Sequence, residues 1–339
     1  MDSLTQVALG AAVGQAVLGK KVGNKAVLWG GVGGLIPDLD VLAAPFLSDV
    51  QQLTFHRGFS HSITFAVLFS PLLAYAVSRI HQKAGASWRN WTWLMFWSIF
   101  THPILDCFTL YGTQLFQPFS TYPVALNTIF IVDPLYTAPL LITVIALMFF
   151  QRFHPKRQIL NYAGLALSTG YLCLTAVNKL YVDSVFEKSL QGQNISYQRF
   201  FTNPTPLNNI LWRGVAETED GFFEGLYSLL DRDQLIDFRF IPKNHELIQP
   251  FVAHGELDEL IWFTKGYFCV SQEDGLLFVN DLRFGKTDMG LLRVGDYLFS
   301  YRIDATGKTA EGIGVERVGV RVRISKELLR QLLRRARGV

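Results

Sequence analysis

Three short clusters of aspartate and histidine stand out, because both side-chain types bind divalent metal ions. The clusters are Asp38 with Asp40, His56 with His61, and His102 with Asp106. Imidazole nitrogen and carboxylate oxygen without thiolate suit zinc, manganese, iron or nickel. We expect these six residues to bind a divalent metal, with zinc favoured over the others, either as one ion or as a bridged pair of ions. Such a centre would activate a water molecule for attack on an ester or phosphoester.

The spacing within two clusters indicates how their ligands converge. His102 and Asp106 are four residues apart, so they share one face of a helix. That spacing is common for two ligands of one metal, although a His–Asp hydrogen bond inside a bundle is the alternative. His56 and His61 cannot share a helical face. Gly58 indicates that His56 lies on a loop and that His61 begins the next helix. A polar loop at the membrane surface is the alternative.

The remaining candidates are aspartates and one arginine. A proline is expected to end the helix before Asp38 and Asp40, which then follow on an extended turn. Helix capping or solvation at the membrane interface is the alternative for this pair. Asp2 and Asp133 are expected to orient a ligand or to act as general base. Arg57 is expected to neutralise an anionic group of the substrate.

The elements that carry these residues are predicted to be membrane helices. Four apolar runs reach or approach the length that crosses about 30 Å of hydrocarbon. They are residues 62–80, 91–110, 129–150 and 159–178. Two shorter runs, 4–19 and 26–36, contain small residues four apart, which predict a tight helical hairpin. A re-entrant pair is the alternative for these two.

Basic residues in short loops predict the orientation of the six segments. They lie at residues 20–25, 79–89 and 152–157, which join the first, second and third pairs of segments. Basic short loops face the cytoplasm. Both termini and all six candidate metal ligands are then expected at the outer membrane face.

Charge divides the chain of 339 residues into two parts. Only 17% of the residues are charged, and only six of the 28 acidic residues lie in residues 1–180. This composition excludes a disordered chain and a basic nucleic-acid-binding domain. Three scattered cysteines exclude a disulfide framework. We expect residues 1–180 to form a polytopic α-helical membrane bundle and residues 181–339 a soluble extracytoplasmic domain.

The second part is predicted to be a small α+β domain, mainly antiparallel. Strands are expected at Leu260–Phe263, Tyr267–Val270, Leu276–Val279 and Arg317–Ile324, with a turn at Asp274-Gly275. Six acidic residues are expected to face solvent: Glu217, Glu219, Asp220, Asp231, Asp233 and Asp237. His245 and His254 have no predicted partners. The tail, Ser325 to Arg337, has leucines at helical spacing among basic residues. It predicts an amphipathic helix that packs on the domain or lies on anionic lipid.

Residues 1–180 resemble the YdjM family of bacterial membrane-bound, predicted metal-dependent hydrolases. The matching segments are Met1-Asp2-Ser3-Leu4-Thr5, Pro37-Asp38-Leu39-Asp40, His56-Arg57-Gly58-Phe59-Ser60-His61-Ser62, His102-Pro103-Ile104-Leu105-Asp106, Tyr111-Gly112-Thr113 and Val132-Asp133-Pro134-Leu135-Tyr136. Gln6 stands where many members have histidine. The family is distantly similar to zinc-dependent phospholipase C and related nucleases, so the resemblance implies phosphoester chemistry.

These observations favour a metal-dependent hydrolase in the bacterial inner membrane, acting on a small or lipid-linked substrate at the outer face. Membrane lipid is the expected partner, and no nucleic-acid partner is expected. A metal-ion transporter or sensor would use the same ligands. A non-catalytic membrane scaffold would use the soluble part as its binding module. The sequence does not predict the oligomeric state.

Overall fold

The chain folds into two compact units, described in a computed structural model. The structure describes residues 1–251, 255–289, 291, 295–309, 312–320 and 325–338. The first unit comprises Met1–Ala43, Phe55–Asn178 and Pro206–Asn208, and the second comprises Ala44–Thr54, Lys179–Thr205 and Asn209–Val339.

Helices make up the N-terminal part of the chain. They are α1 (Ser3–Val22), α2 (Asn24–Leu35), α3 (Asp49–Phe55), α4 (Ile63–Ile80), α5 (Trp88–Asp106), α6 (Pro134–Met148) and α7 (Pro155–Gly192). A 3-10 segment, Ile36–Phe46, continues directly from α2, and a shorter one covers Phe59–His61. Large apolar side chains of α5, among them Trp91, Leu94 and Ile99, are fully buried in the first unit.

Three helical segments of the described chain are long and apolar enough to cross a membrane. They are Asn24–Phe46, Ile63–Ile80 and Pro155–Gly192. Helix α6 is apolar but has only 15 residues. The prediction of a helical membrane region followed by an antiparallel domain is therefore confirmed, whereas the count of six spans is not.

Helices α1 and α2 form the close hairpin that the glycine spacing predicts. The chain reverses at Gly23, whose φ of 63° favours glycine. A Cβ atom added at Gly10 would collide with the carbonyl oxygen of Gly30, and one added at Gly14 would collide with that of Ala26. The two backbones are in direct contact, so the position of α2 depends on the absence of side chains along this line.

The three basic loops meet at one end of the first unit. The Lys21 side chain donates to Asn90 Oδ1 over 3.0 Å, and Arg152 donates to the Lys21 carbonyl over 3.0 Å. Asn24 donates to the Met148 carbonyl over 3.1 Å. These contacts hold the loops at the same end of the first unit. That is the arrangement required if all the basic loops lie on one side of the membrane.

Helix α7 continues beyond its apolar part into the second unit. Its 38 residues would extend about 57 Å at 1.5 Å per residue. The side chains of Val182, Val185 and Phe186 are buried with Trp212 and Tyr227 in the core of that unit. The sequence places the end of the last segment at residue 178, because the next turns of α7 are amphipathic rather than uniformly apolar.

The second unit contains two four-stranded antiparallel sheets. The first consists of β1 (Arg199–Pro204), β2 (Leu211–Glu217), β3 (Gly221–Ser228) and β4 (Arg239–Pro242), in that order. The second consists of β5 (Phe268–Glu273), β6 (Leu276–Asp281), β7 (Ser300–Thr309) and β8 (Gly312–Arg317), also in sequence order. The second unit also contains helices α8 (Glu256–Thr264) and α9 (Lys326–Ala336).

Several local predictions for this unit are confirmed and others are wrong. The strands at Tyr267–Val270 and Leu276–Val279, their turn and the C-terminal amphipathic helix are present as β5, β6 and α9. Leu260–Phe263 is helical rather than extended, because the acidic first turn of α8 favours a helix start. The strand expected at Arg317–Ile324 is misplaced, because β8 lies before it and ends at Arg317, and residues 318–320 are not in a strand. Residues 321–324 lie outside the described residues, as does His254.

Two polar residues of this unit differ from expectation in their surroundings. Glu217 is buried rather than solvated, because it pairs with Arg199 and Lys243 over 2.6 and 2.9 Å. His245 stacks on Phe268, with ring centroids 4.0 Å apart, and its Nε2 donates to the Phe268 carbonyl over 2.8 Å. Both therefore have structural roles in the second unit.

Candidate metal site

Three side chains from three segments converge on a group that could hold a metal ion. The Nε2 atoms of His61 and His102 lie 3.1 Å apart. Oδ1 of Asp38 lies 3.4 Å from the first nitrogen and 3.3 Å from the second. These separations are close to the roughly 3.3 Å edge of a tetrahedron whose centre holds zinc at 2.0–2.1 Å. The group thus has the spacing of three ligands around one ion.

The hydrogen bond of His102 fixes which of its ring nitrogens can bind a metal. Nδ1 of His102 lies 2.6 Å from the carbonyl oxygen of Gly34. A carbonyl oxygen only accepts, so Nδ1 carries the proton, and in the neutral ring Nε2 keeps its lone pair. The close hairpin of α1 and α2 brings this carbonyl to His102, because Gly34 packs against the backbone of Gln6 and Gly10.

His61 is oriented in a similar way by Ser60 and Asp40. The Ser60 hydroxyl donates to Asp40 Oδ2 over 2.8 Å and accepts from His61 Nδ1 over 2.9 Å. Nε2 of His61 therefore also keeps its lone pair in the neutral ring. Two lone pairs that face each other across 3.1 Å repel, and a cation between them would convert that repulsion into binding. The donor set therefore fits a divalent metal.

The structure divides the predicted aspartate pair between two roles. Asp38 belongs to the metal-binding group, whereas Asp40 contacts His56 Nδ1 at 2.9 Å, Ser60 and the Arg57 amide, and lies 3.4 Å from His61 Nδ1 rather than from its Nε2. The cause is local: both residues lie in a 3-10 segment, not on the extended turn that the proline predicts. His56 is half-exposed and contacts the group through Asp40.

Asp106 lies on the same helix as His102, as the spacing predicts. Its Oδ2 is 3.7 Å from Nε2 of both His61 and His102. Its carboxylate is also held by Arg57, whose Nε is 3.1 Å away, and by the Gln6 side chain, which donates to Oδ1 over 3.0 Å. Asp106 is therefore the next carboxylate around the two imidazoles, and the buried Arg57 guanidinium and the Met1 N-terminal amine both pair with it.

Arg57 is buried although it follows a loop histidine. Its Nη1 donates to Thr109 over 2.7 Å, and its guanidinium carbon lies 4.9 Å from the centre of the Tyr111 ring. Its φ is 62°, a left-handed conformation that is uncommon for a residue with a side chain. The surrounding contacts hold this strained residue in place, which is typical of functional loops.

Asp2 and Asp133 are both placed as helix caps. Asp2 accepts from the Thr5 amide over 3.0 Å at the start of α1. Asp133 accepts from the Leu135 amide over 2.9 Å at the start of α6 and from the Tyr171 hydroxyl over 2.8 Å. These bonds stabilise helix N-termini. A part in catalysis for either residue stays a prediction.

Sequence reasoning missed the groups that orient the ligands. The Gly34 carbonyl is a backbone group, whose only signal was the spacing of glycines. Ser60 is adjacent to a predicted ligand, which could have drawn attention to it. Gln6 is fully buried beside Asp106, and its Oε1 has no hydrogen-bond partner among the described residues. An unpaired oxygen at this depth suits a bound cation or water.

Comparisons with known proteins found two curated relatives, one of which is named an inner membrane protein. A 141-residue stretch is 33% identical to the uncharacterized protein YfhP of Bacillus subtilis, covering 40% of this chain and 42% of that one. A 96-residue stretch is 36% identical to the inner membrane protein YbcI of Escherichia coli, covering 28% of this chain and 54% of that one. The chain thus matches about half the length of each relative. No solved structure matches significantly.

The family comparison covers the whole helical part, including every residue of the metal-binding group. The model of the YdjM inner membrane protein matches residues 1–182, which is more than half of the chain. The chain therefore belongs to the YdjM inner membrane protein family.

Proposed function

We propose that this protein is a membrane-embedded metal-dependent hydrolase that cleaves an ester or phosphoester at the outer face of the inner membrane. The observation that carries the proposal is the pair of Nε2 atoms, 3.1 Å apart, with the Asp38 carboxylate beside both. Two histidines and one carboxylate are the protein ligands of many catalytic zinc sites, which keep a further position open.

The orientation of the ligands supports a preformed site. The Gly34 carbonyl and the Ser60–Asp40 pair fix the two imidazoles through their Nδ1 atoms. When bound, a divalent ion would lower the pKa of a water molecule and polarise an ester or phosphoryl oxygen. Asp106, which is 3.7 Å from both imidazoles, is the carboxylate available to accept a proton from that water.

Arg57 supplies positive charge beside this carboxylate. A guanidinium held by packing and hydrogen bonds stabilises charge that develops on a phosphoryl oxygen more effectively than a mobile one. We assign this role to Arg57 because its side chain is buried between Asp106, Thr109 and Tyr111.

A lipid-linked substrate suits the surface next to the ligands. In the segment that carries Asp38, the side chains of Leu39, Val41 and Leu42 are exposed. Apolar side chains that border a polar site can hold an acyl or isoprenoid chain while the head group reaches the metal.

A transport role is less well supported by the positions of the ligands. Among the described residues, Asp38, His61 and His102 form the only group of three or more metal-ligating side chains found. A transport pathway needs a further site toward the opposite face.

Hydrolysis assays on the purified full chain test the proposal. Generic phosphodiesters, phosphomonoesters and phospholipids are offered with zinc or manganese, and Asp38→Asn is compared with the wild type. We expect roughly 100-fold or greater loss of activity in the variant. His154→Ala, exposed among the basic loops, is the matched control and should keep full activity. Stoichiometric metal binding without hydrolysis of any ester class would contradict the enzyme assignment.

A further inference from the structure

The C-terminal helix α9 presents two different faces. Leu328 and Leu332 are buried against the second unit, with 4% and 7% of their surface exposed. Arg335 fixes the helix further by donating to Asp231 over 2.6 Å and to the Leu226 carbonyl over 2.9 Å. This face holds α9 on the sheet domain.

The opposite face of α9 is basic and partly apolar. Leu329 and Leu333 are about half-exposed, at 44% and 51%. The exposed cationic residues lie beside them in the helical projection at 100° per residue; they are Lys326, Arg330, Arg334 and Arg337. We call these six residues the basic strip. One acidic residue, Glu327, borders it and pairs with Arg330 over 3.6 Å.

We propose that the basic strip of α9 binds the anionic surface of the membrane in which the chain is anchored. Leu329 and Leu333 would enter the boundary between head groups and acyl chains, and the four cations would contact lipid phosphates. Leucines flanked by lysine and arginine on one face are the usual composition of helices that lie in this interface.

Size and charge favour lipid over a protein as the occupant of the strip. An 11-residue helix is about 16 Å long, so one face covers far less than the roughly 800 Å² per partner of a stable protein interface. Four cations around two leucines complement a surface of phosphate groups. The chain also carries candidate membrane spans, which would tether the second unit covalently to a bilayer.

The test uses the full chain in lipid nanodiscs. A fluorophore sensitive to polarity is attached at Leu333→Cys, in a background where the exposed Cys173 is replaced by serine; Cys107 and Cys269 are buried. Discs contain either zwitterionic lipid alone or one third phosphatidylglycerol. We expect a blue-shifted emission and several-fold weaker quenching by acrylamide in the anionic discs only.

Charge variants and a matched label distinguish lipid from other occupants. Each removed charge should reduce the ratio of bound to free strip about fivefold, so Arg330→Gln with Arg334→Gln should reduce it about 25-fold. Both side chains are exposed, so folding should be unaffected. A label at the exposed Leu235 should respond equally in both discs. Equal quenching at position 333 in both lipids, or protection that persists in the double variant, would overturn the proposal, the second result indicating a protein partner.

Discussion

The replacement Gly34→Ala tests whether helix packing sets the metal site. A Cβ atom at Gly34 would collide with the carbonyl oxygen of Gln6 and lie 3.1 Å from the Gly10 Cα. Both contacts are with backbone, which cannot rotate away. Restoring ordinary van der Waals contact requires α1 and α2 to separate by about 1 Å.

That movement has a calculable effect on the ligand His102. Its Nδ1 is 2.6 Å from the Gly34 carbonyl, and a shift of about 1 Å directed away from His102 would lengthen this to roughly 3.6 Å, beyond hydrogen-bond range. The same shift displaces Gln6, which donates to Asp106. Loss of such an orienting bond typically costs 10- to 100-fold in metal affinity.

Competition with a zinc-binding dye on purified protein measures this change. We expect Gly34→Ala to weaken zinc binding about 10- to 100-fold while the helical content stays unchanged. Gly170→Ala on α7 is the matched control, because a Cβ atom there meets nothing within 4 Å. Wild-type zinc affinity in a folded Gly34→Ala protein would refute the dependence of the site on the hairpin.

Three further predictions concern the ligand support, the topology and the second unit. Asp40→Ala should weaken zinc binding about 10- to 100-fold, as measured by the same competition, because it removes the oxygen that accepts from Ser60 and so releases the Ser60 bond that orients His61; unchanged affinity would contradict this role. Reporter fusions after residues 83 and 157 should report the cytoplasm, and fusions after residues 117 and 194 the exterior; a cytoplasmic signal at 194 would reverse the predicted orientation. Burial alone would raise the pKa of Glu217, but hydrogen bonds from Lys243 and Arg199 outweigh it and hold that pKa below its ordinary value. The stabilisation that Glu217 contributes through these two partners is therefore complete above about pH 4.5 and is lost as pH falls further. Acid unfolding of the second unit, followed by tryptophan fluorescence, should show a shallower pH dependence in Glu217→Gln, and an identical acid limb would contradict the argument.

The site was predictable from the sequence where a ligand's position depends on local periodicity. His102 and Asp106 share a helical face because they are four residues apart, and α5 contains both. The division between Asp38 and Asp40 was not predictable, because it depends on a 3-10 segment that follows α2 without interruption. The hydrogen bond from His102 to the Gly34 carbonyl was not predictable either, because every residue has a backbone carbonyl and no residue type marks this one.

The fold was likewise predictable where it depends on local sequence patterns and not where it depends on distant contacts. The glycines at 10, 14, 30 and 34 predicted the hairpin, because close backbone approach excludes side chains. The apolar run at residues 159–178 predicts a shorter helix than α7. The last turns of α7 pack in the core of the second unit, so only one of their faces is apolar. Four apolar residues at 260–263 are compatible with either a strand or a helix. Burial of Leu257, Leu260 and Phe263 along one face of α8 decides for the helix.

Metal content of the purified ligand variants tests the central assignment most directly. Elemental analysis should find stoichiometric metal in the wild type and in His154→Ala, and little metal in His102→Ala. Adding Asp106→Ala to His102→Ala should lower the content hardly further, because the site is already lost. A well-folded His102→Ala protein that keeps its full complement of metal would contradict the assignment of this residue and with it the hydrolase proposal.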